Sequence, residues 1–185
     1  MFNIINRVQN SFGYFTTVLS IFAAVVSLVS IVQLNVSGAF SLPATVNDIT
    51  PKGGLTYSSR IKASSSKPKE LCKVAFDLDA GRPLFNWNTK QVFVYLTAEY
   101  PGKRSDISNR VTFWDSIIRT KDDAVLKLEN AKGKYPVYDV GQGFEERNAT
   151  IHLEWNIQPH VGMLVYGDTQ VQGTEGFTFP KVERK

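Results

Sequence analysis

From Val8 to Asn47 the sequence contains no charged residue, and within that interval FGYFTTVLSIFAAVVSLVSIVQL, Phe12 to Leu34, is almost continuously apolar. As an α-helix rising about 1.5 Å per residue, this run spans roughly 35 Å, enough to cross a hydrocarbon core of about 30 Å with some tilt. A rival reading is a cleaved signal peptide, because VSGAFS offers the small residues Ser37 and Ala39 in a cleavage-site arrangement. The apolar core of a signal peptide is only about 7 to 15 residues long, so the sequence favours an uncleaved anchor. Arg7 and the terminal amine are the only charges before the run, and the far flank stays uncharged until Asp48. That asymmetry predicts a cytoplasmic N-terminus and a translocated remainder. The organisation expected is therefore a cytosolic segment 1–11, a signal-anchor helix 12–34, a connector 35–73 and a β-domain 74–185.

Charge has to be located before it is interpreted. The formal net charge is +4, yet residues 49–73 carry six bases (Lys52, Arg60, Lys62, Lys67, Lys69, Lys73) against Glu70, whereas residues 74–185 carry 14 bases against 15 acids. The basicity belongs to one Ser/Lys/Pro/Gly-rich stretch and the globular part is nearly neutral. Nucleic-acid binding needs bases and aromatics interleaved on a folded face, which this pattern does not supply.

Beyond the connector, which holds at most a short strand around Leu55 to Ile61, the periodicity is 2. Val74, Phe76 and Leu78 alternate with Ala75, Asp77 and Asp79; Val92, Val94, Leu96 and Ala98 alternate with Phe93, Tyr95, Thr97 and Glu99. In TIHLEWNI, Ile151, Leu153, Trp155 and Ile157 alternate with His152, Glu154 and Asn156. Such segments, separated by AGRP, YPGKRSD, AKGKYP and PHVG, predict antiparallel strands with one buried face, packed as a β-sandwich. DDAVLKLEN, Asp122 to Asn130, fits a short helix or a strand. The strand around Phe93 and Tyr95 is apolar on both faces, so it is expected to be central, its second face covered by a loop or by another protein.

Candidate chemistry is sparse. Asp77 and Asp79 form a D-x-D pair on one strand face, an arrangement that can hold a divalent cation and that raises a luminal glycan-modifying enzyme. A solvated strand face explains the pair as well, and about 110 all-β residues lack the α/β sheet of a nucleotide-sugar enzyme. Glu99 and Glu154 are ordinary alternating polar positions. His152 and His160 are the only histidines, and neither accompanies a nucleophile motif, so no catalytic residue, cofactor site or metal site is predicted. The single Cys72 cannot form an intrachain disulfide and reads as a small buried hydrophobe. Phe85, Trp87, Phe93, Tyr95 and Tyr100, with Asn86 and Asn88, admit a sugar-stacking surface. Asn148 opens an Asn-Ala-Thr sequon expected in an exposed loop; the sequon at Asn35 abuts the apolar run, too close to a bilayer for modification.

FDLDAGRPLFNWNTKQVFVYLTAEY, NRVTFWDSIIR and KYPVYDVGQGFEERNATIHLEWNIQPHVG, together with the anchor, closely resemble the family of glycosylated third accessory subunits of the microsomal signal peptidase complex. The resemblance runs from the anchor to about Gly162. It implies a single-pass type II protein of the endoplasmic reticulum membrane with a luminal β-sandwich, glycosylated at Asn148. Its implied partners are the catalytic signal peptidase subunit, the other small membrane subunits, the lipid bilayer and, indirectly, signal-peptide-bearing precursors. The nucleophile and base would then reside on the catalytic chain.

Overall fold

The computed structural model of the protein describes residues 3–40, 44–58, 63, 68–81, 84–102, 107–138, 146–171 and 176–182. Among the described residues one long helix, α1 (Ile4–Val36), precedes nine strands. The helix extends beyond the predicted span 12–34 at both ends and is the one described helix long and apolar enough to cross a membrane. Its polar residues do not break it. The hydroxyls of Thr16 and Thr17 each donate to the Gly13 carbonyl at 2.9 Å, and Ser20 donates to Thr16 at 2.8 Å. Hydroxyls bonded back into the preceding turn expose no unsatisfied group on an apolar surface. The helix stops at Gly38, whose φ of 76° lets the chain turn away while Ala39 N–H donates to the Leu34 carbonyl.

The strands are β1 (Ala44–Thr56), β2 (Lys69–Gly81), β3 (Thr89–Pro101), β4 (Ser108–Ile118), β5 (Val125–Lys132), β6 (Val137–Tyr138), β7 (Asn148–Pro159), β8 (Val165–Gln170) and β9 (Phe177–Thr178). They form two antiparallel sheets, ordered β1-β2-β5 with β6 also on β2, and β4-β3-β7-β8 with β9 on β7. The connector expectation is corrected here. Ala44–Thr56 is a 13-residue strand that starts well upstream of the expected Leu55 to Ile61, and β2 begins at Lys69 rather than Val74. Residues 59–62 lie outside the described residues. The reason β1 escapes the sequence is visible in its side chains: Ala44 and Val46 are buried, but the register shifts between Asn47 and Thr50, Asp48 has φ 48°, and Pro51, Gly53 and Gly54 follow. A bulge breaks the alternation on which strand recognition depends. In DDAVLKLEN, Asp122–Ala124 is a 3-10 turn and β5 starts at Val125.

The core lies between the sheets. Val74, Phe76 and Leu78 of β2 face Val92, Val94, Leu96 and Ala98 of β3 and Ile151, Leu153, Trp155 and Ile157 of β7, all buried in a single cluster. Phe76 bridges the layers, meeting Phe113 and Trp114 of β4 edge-on at centroid distances of 5.5 and 5.9 Å. Aromatic pairs in that geometry gain about 0.5 to 1.5 kcal/mol beyond their burial. Trp155 needs space that β8 provides: a Cβ on Gly167 would lie 2.4 Å from its ring.

Candidate functional site

Two polar clusters stand out against this frame. The first joins α1 to the sandwich. The turn entering β3 carries Asn86, whose side-chain amide donates to the Ser30 carbonyl at 3.1 Å and to the Ser30 hydroxyl at 2.9 Å. The same side chain's oxygen accepts from Asn88 N–H at 3.0 Å and from the Thr89 hydroxyl at 2.9 Å. An asparagine has two donors and one oxygen with two lone pairs, so Asn86 is fully used. Asn88, itself buried, clamps the facing turn in both directions: its amide donates to the Val161 carbonyl at 2.8 Å and its oxygen accepts from Val161 N–H at 3.1 Å. Its own carbonyl accepts from His160 N–H at 2.7 Å. The asparagines flanking Trp87 are therefore structural ties and not free to line a sugar site, while Trp87 between them is exposed.

The second cluster lies on the outer face of the five-stranded sheet, where β3 pairs with β4 and β7. Cross-strand register sets Glu99 opposite Arg110 and Thr150, Thr97 opposite His152, and Tyr95 opposite Glu154. Arg110 donates to Glu99 at 2.6 and 3.1 Å and to Glu154 at 3.1 Å; Thr97 donates to Glu154 at 2.7 Å; His152 Nε2 lies 3.6 Å from Glu99. Hydrogen bonds from Ser108 and Arg110 hold the Glu99 carboxyl below its ordinary range, and the bond to Glu99 raises Arg110. Burial, followed by the hydrogen bond and charge of Glu154, pushes the Tyr95 phenol up to about 12. Beside this network the Phe93 and Tyr95 rings stack at 5.2 Å, and Phe93, Ile117 and Tyr166 are exposed on the same face. β3 is thus central, as its two apolar faces predict, and among the described residues nothing covers Phe93, Ile117 and Tyr166 on its outer face.

What the second cluster can do chemically is limited. Its carboxylates are bound to a guanidinium, and its hydroxyl donates to a carboxylate instead of being deprotonated by a histidine, so it is a staple and not a nucleophile site. The remaining sequence candidates are dispersed. Asp77 accepts from Asn130 N–H at 2.5 Å, and Asp79 is exposed between Thr45 and Lys127. Among the described residues no group of three or more His, Cys, Asp or Glu is close enough to hold a metal ion. His160 is exposed in the turn near α1, away from His152 on the sheet face. Cys72 is fully buried, and burial pushes its thiol up to about 11, which suits a packing residue. Asn148 is not in a loop: it is the first residue of β7, exposed, paired with Thr178 and accepting from that residue's hydroxyl at 2.8 Å. Asn35 lies in the last turn of α1.

Sequence reasoning missed Ser30 and Arg110. Ser27, Ser30 and Leu34 recur at spacings of three and four, one helix face, which is a weak signal for a contact within an apolar run. Arg110 gives no signal until the β3–β4 register is known.

The signal peptidase subunit family model matches residues 1–182. Signal peptidase complex subunit 3 of Yarrowia lipolytica is 50% identical over 182 residues, covering 96% of this chain and 97% of that protein. The protein of the same name from Debaryomyces hansenii is 47% identical over 171 residues, 91% of this chain and 90% of its own. That from Saccharomyces cerevisiae is 40% identical over 171 residues, 91% and 92% of the two chains.

Proposed function

Because the chain belongs to the signal peptidase subunit family, we propose that it is a non-catalytic, membrane-anchored subunit of the endoplasmic reticulum signal peptidase complex. α1 crosses the membrane with its N-terminus in the cytosol, and the sandwich stands in the lumen on the catalytic chain, supporting it while signal peptides are removed from secretory and membrane precursors. Asn148, exposed at the end of the sandwich remote from the Asn86–Ser30 joint, carries the glycan.

The observation that carries this reading is the open outer face of β3. A central strand with Phe93 and Tyr95 outward is normally covered on both sides, and here Phe93, Ile117 and Tyr166 remain exposed. Aromatics ringed by fixed polar groups resemble the core and rim of a protein interface. The metal-dependent glycan enzyme has no comparable support, since Asp77 accepts from Asn130 N–H and, among the described residues, no third ligand stands with Asp77 and Asp79.

Three experiments test the proposal. Depleting the protein must cause enlarged, uncleaved secretory precursors to accumulate; normal processing would sink it. Detergent-solubilised protein must bring the catalytic chain along, and a Phe93→Asp, Tyr166→Asp variant that folds must lose it. Asn148→Gln must abolish the mobility shift that deglycosylation produces.

A further inference from the structure

The sandwich meets α1 not only at the helix's end, where Leu34 and Ala39 are buried in the core, but also further back along it. Gly162 sits against Ser27, where an added Cβ would come within 2.4 Å of the hydroxyl, and Asn86 is bound to Ser30. If a hydrocarbon core of about 30 Å begins at Phe12, about 20 helical residues fill it and its far boundary falls near Ile31. Ser27 then lies roughly 6 Å inside that boundary. A turn packed against Ser27 cannot be in bulk water.

The residues around that contact agree with this depth. Trp87 is 58% exposed, Met163 75%, Leu164 44% and Val161 38%. Of these, Val161 and Met163 line one narrow cleft with Ser27, Ile31 and Leu34 of α1. From Gln158 to Gly167 the chain carries no Asp, Glu, Lys or Arg, and Lys90 is exposed at the rim. Tryptophan and exposed aliphatics edged by a lysine, with the Val161 N–H and carbonyl both satisfied by Asn88, match the chemistry of the membrane interface.

We propose that Trp87 and the 161–164 turn insert into the boundary between headgroups and acyl chains in the leaflet from which α1 emerges, seating the sandwich on the bilayer. The occupant of this apolar surface is phospholipid. The joint of Asn86, Asn88 and Ser30 then serves to fix the depth of that seat. This inference rests on α1 crossing the bilayer.

Trp87 is a built-in probe, because the other two tryptophans, Trp114 and Trp155, are buried. The full-length chain is reconstituted in phosphatidylcholine vesicles with acyl chains brominated near the glycerol end, and the Trp87 share of emission is taken against Trp87→Phe. That share should fall about twofold or more in brominated vesicles and resist aqueous iodide. Quenching by iodide and not by brominated lipid overturns the proposal. A nitroxide on Met163→Cys gives an independent reading, expected to be more accessible to oxygen than to a water-soluble nickel chelate; the reverse order overturns it. Repeating both in the assembled complex distinguishes lipid from protein: shielding from every quencher there means a subunit covers the patch, which also overturns it. Extraction by alkaline carbonate would instead show that α1 does not span, a separate failure of the underlying reading.

Discussion

The joint at α1 and the network on the outer sheet face are both polar clusters in a largely apolar molecule, yet they are built from different chemistry. Asn86, Asn88, Thr89 and Ser30 are all neutral, and the two asparagine side chains have partners for both donor and acceptor. Glu99, Glu154, Arg110 and His152 are ionisable, joined by contacts of 2.6 to 3.6 Å, and reach water chiefly through Arg110, 40% exposed, and Glu99, 27% exposed, with Glu154 and His152 at 14% and 15%. The difference follows from where each sits. Beside an apolar helix an unpaired charge is prohibitively costly, whereas a satisfied amide is tolerated. On a solvated sheet face charges cost little and contribute little, because water and salt screen them. The neutral cluster fixes geometry; the charged one tunes a surface.

Breaking the neutral cluster should therefore have the larger effect. Asn88→Ala removes both bonds to Val161 and leaves that residue's N–H and carbonyl without their partner, a loss of roughly 2 to 4 kcal/mol. Chemical unfolding of the full-length protein in detergent should show it as a lower midpoint with unchanged slope. Asn88→Asp discriminates further: it keeps the acceptor for Val161 N–H but turns a carboxylate oxygen toward the Val161 carbonyl. It should be nearly as damaging at neutral pH and partly recover in acid, where the protonated carboxyl can donate. A variant as stable as the parent would show that the clamp contributes nothing.

The charged cluster should yield less. Arg110→Ala leaves Glu99 and Glu154 without their shared cation, yet an exposed ion pair is typically worth about 0.2 to 1 kcal/mol. Adding Glu154→Gln to Arg110→Ala should restore part of that loss by removing the repulsion, while keeping the acceptor for the Thr97 hydroxyl. The Arg110→Ala deficit should shrink at high salt; the Asn88→Ala deficit should not. A salt-independent Arg110→Ala deficit would mean that packing, and not charge, is what Arg110 supplies.

How far these clusters could be read in advance depended on range. Alternation at Val92 to Ala98 and Ile151 to Ile157 reports which face is buried, because period 2 is a local property of a strand. The doubly apolar Phe93 and Tyr95 gave away a central strand for the same reason. β1 stayed hidden because its bulge, Pro51, Gly53 and Gly54 erase that local signal although its pairing with β2 runs from Ala44 to Thr56. The polar clusters were harder still. Asn86 and Asn88 look like ligands in isolation, and only contacts to Ser30 and Val161, 56 and 73 residues away, turn them into ties. Arg110 and Glu154, 44 residues apart, meet only through β3.

The smallest effect, and the sharpest separation of the two clusters, is in pH. The folded-state Glu99 carboxyl is held below its ordinary value by Ser108 and Arg110, so its contribution is complete above about pH 4.3, the usual glutamate value. It is lost as pH falls through the lower folded value, because the unfolded chain then binds the proton first. Tyr95 gives the opposite limb. Raised from 10.0 to about 12, it contributes below pH 10 and loses that contribution as pH climbs toward 12, because the unfolded phenol ionises first. Stability of the parent should accordingly bend downward in acid and again in alkali. Glu99→Gln should flatten the acid bend and Tyr95→Phe the alkaline one, whereas Asn88→Ala should lower the whole curve without changing its shape. Unfolding midpoints collected from pH 3 to pH 11 test this directly: if Asn88→Ala reshapes the curve, the joint is coupled to a titrating group and the division between a neutral anchor and a charged surface fails.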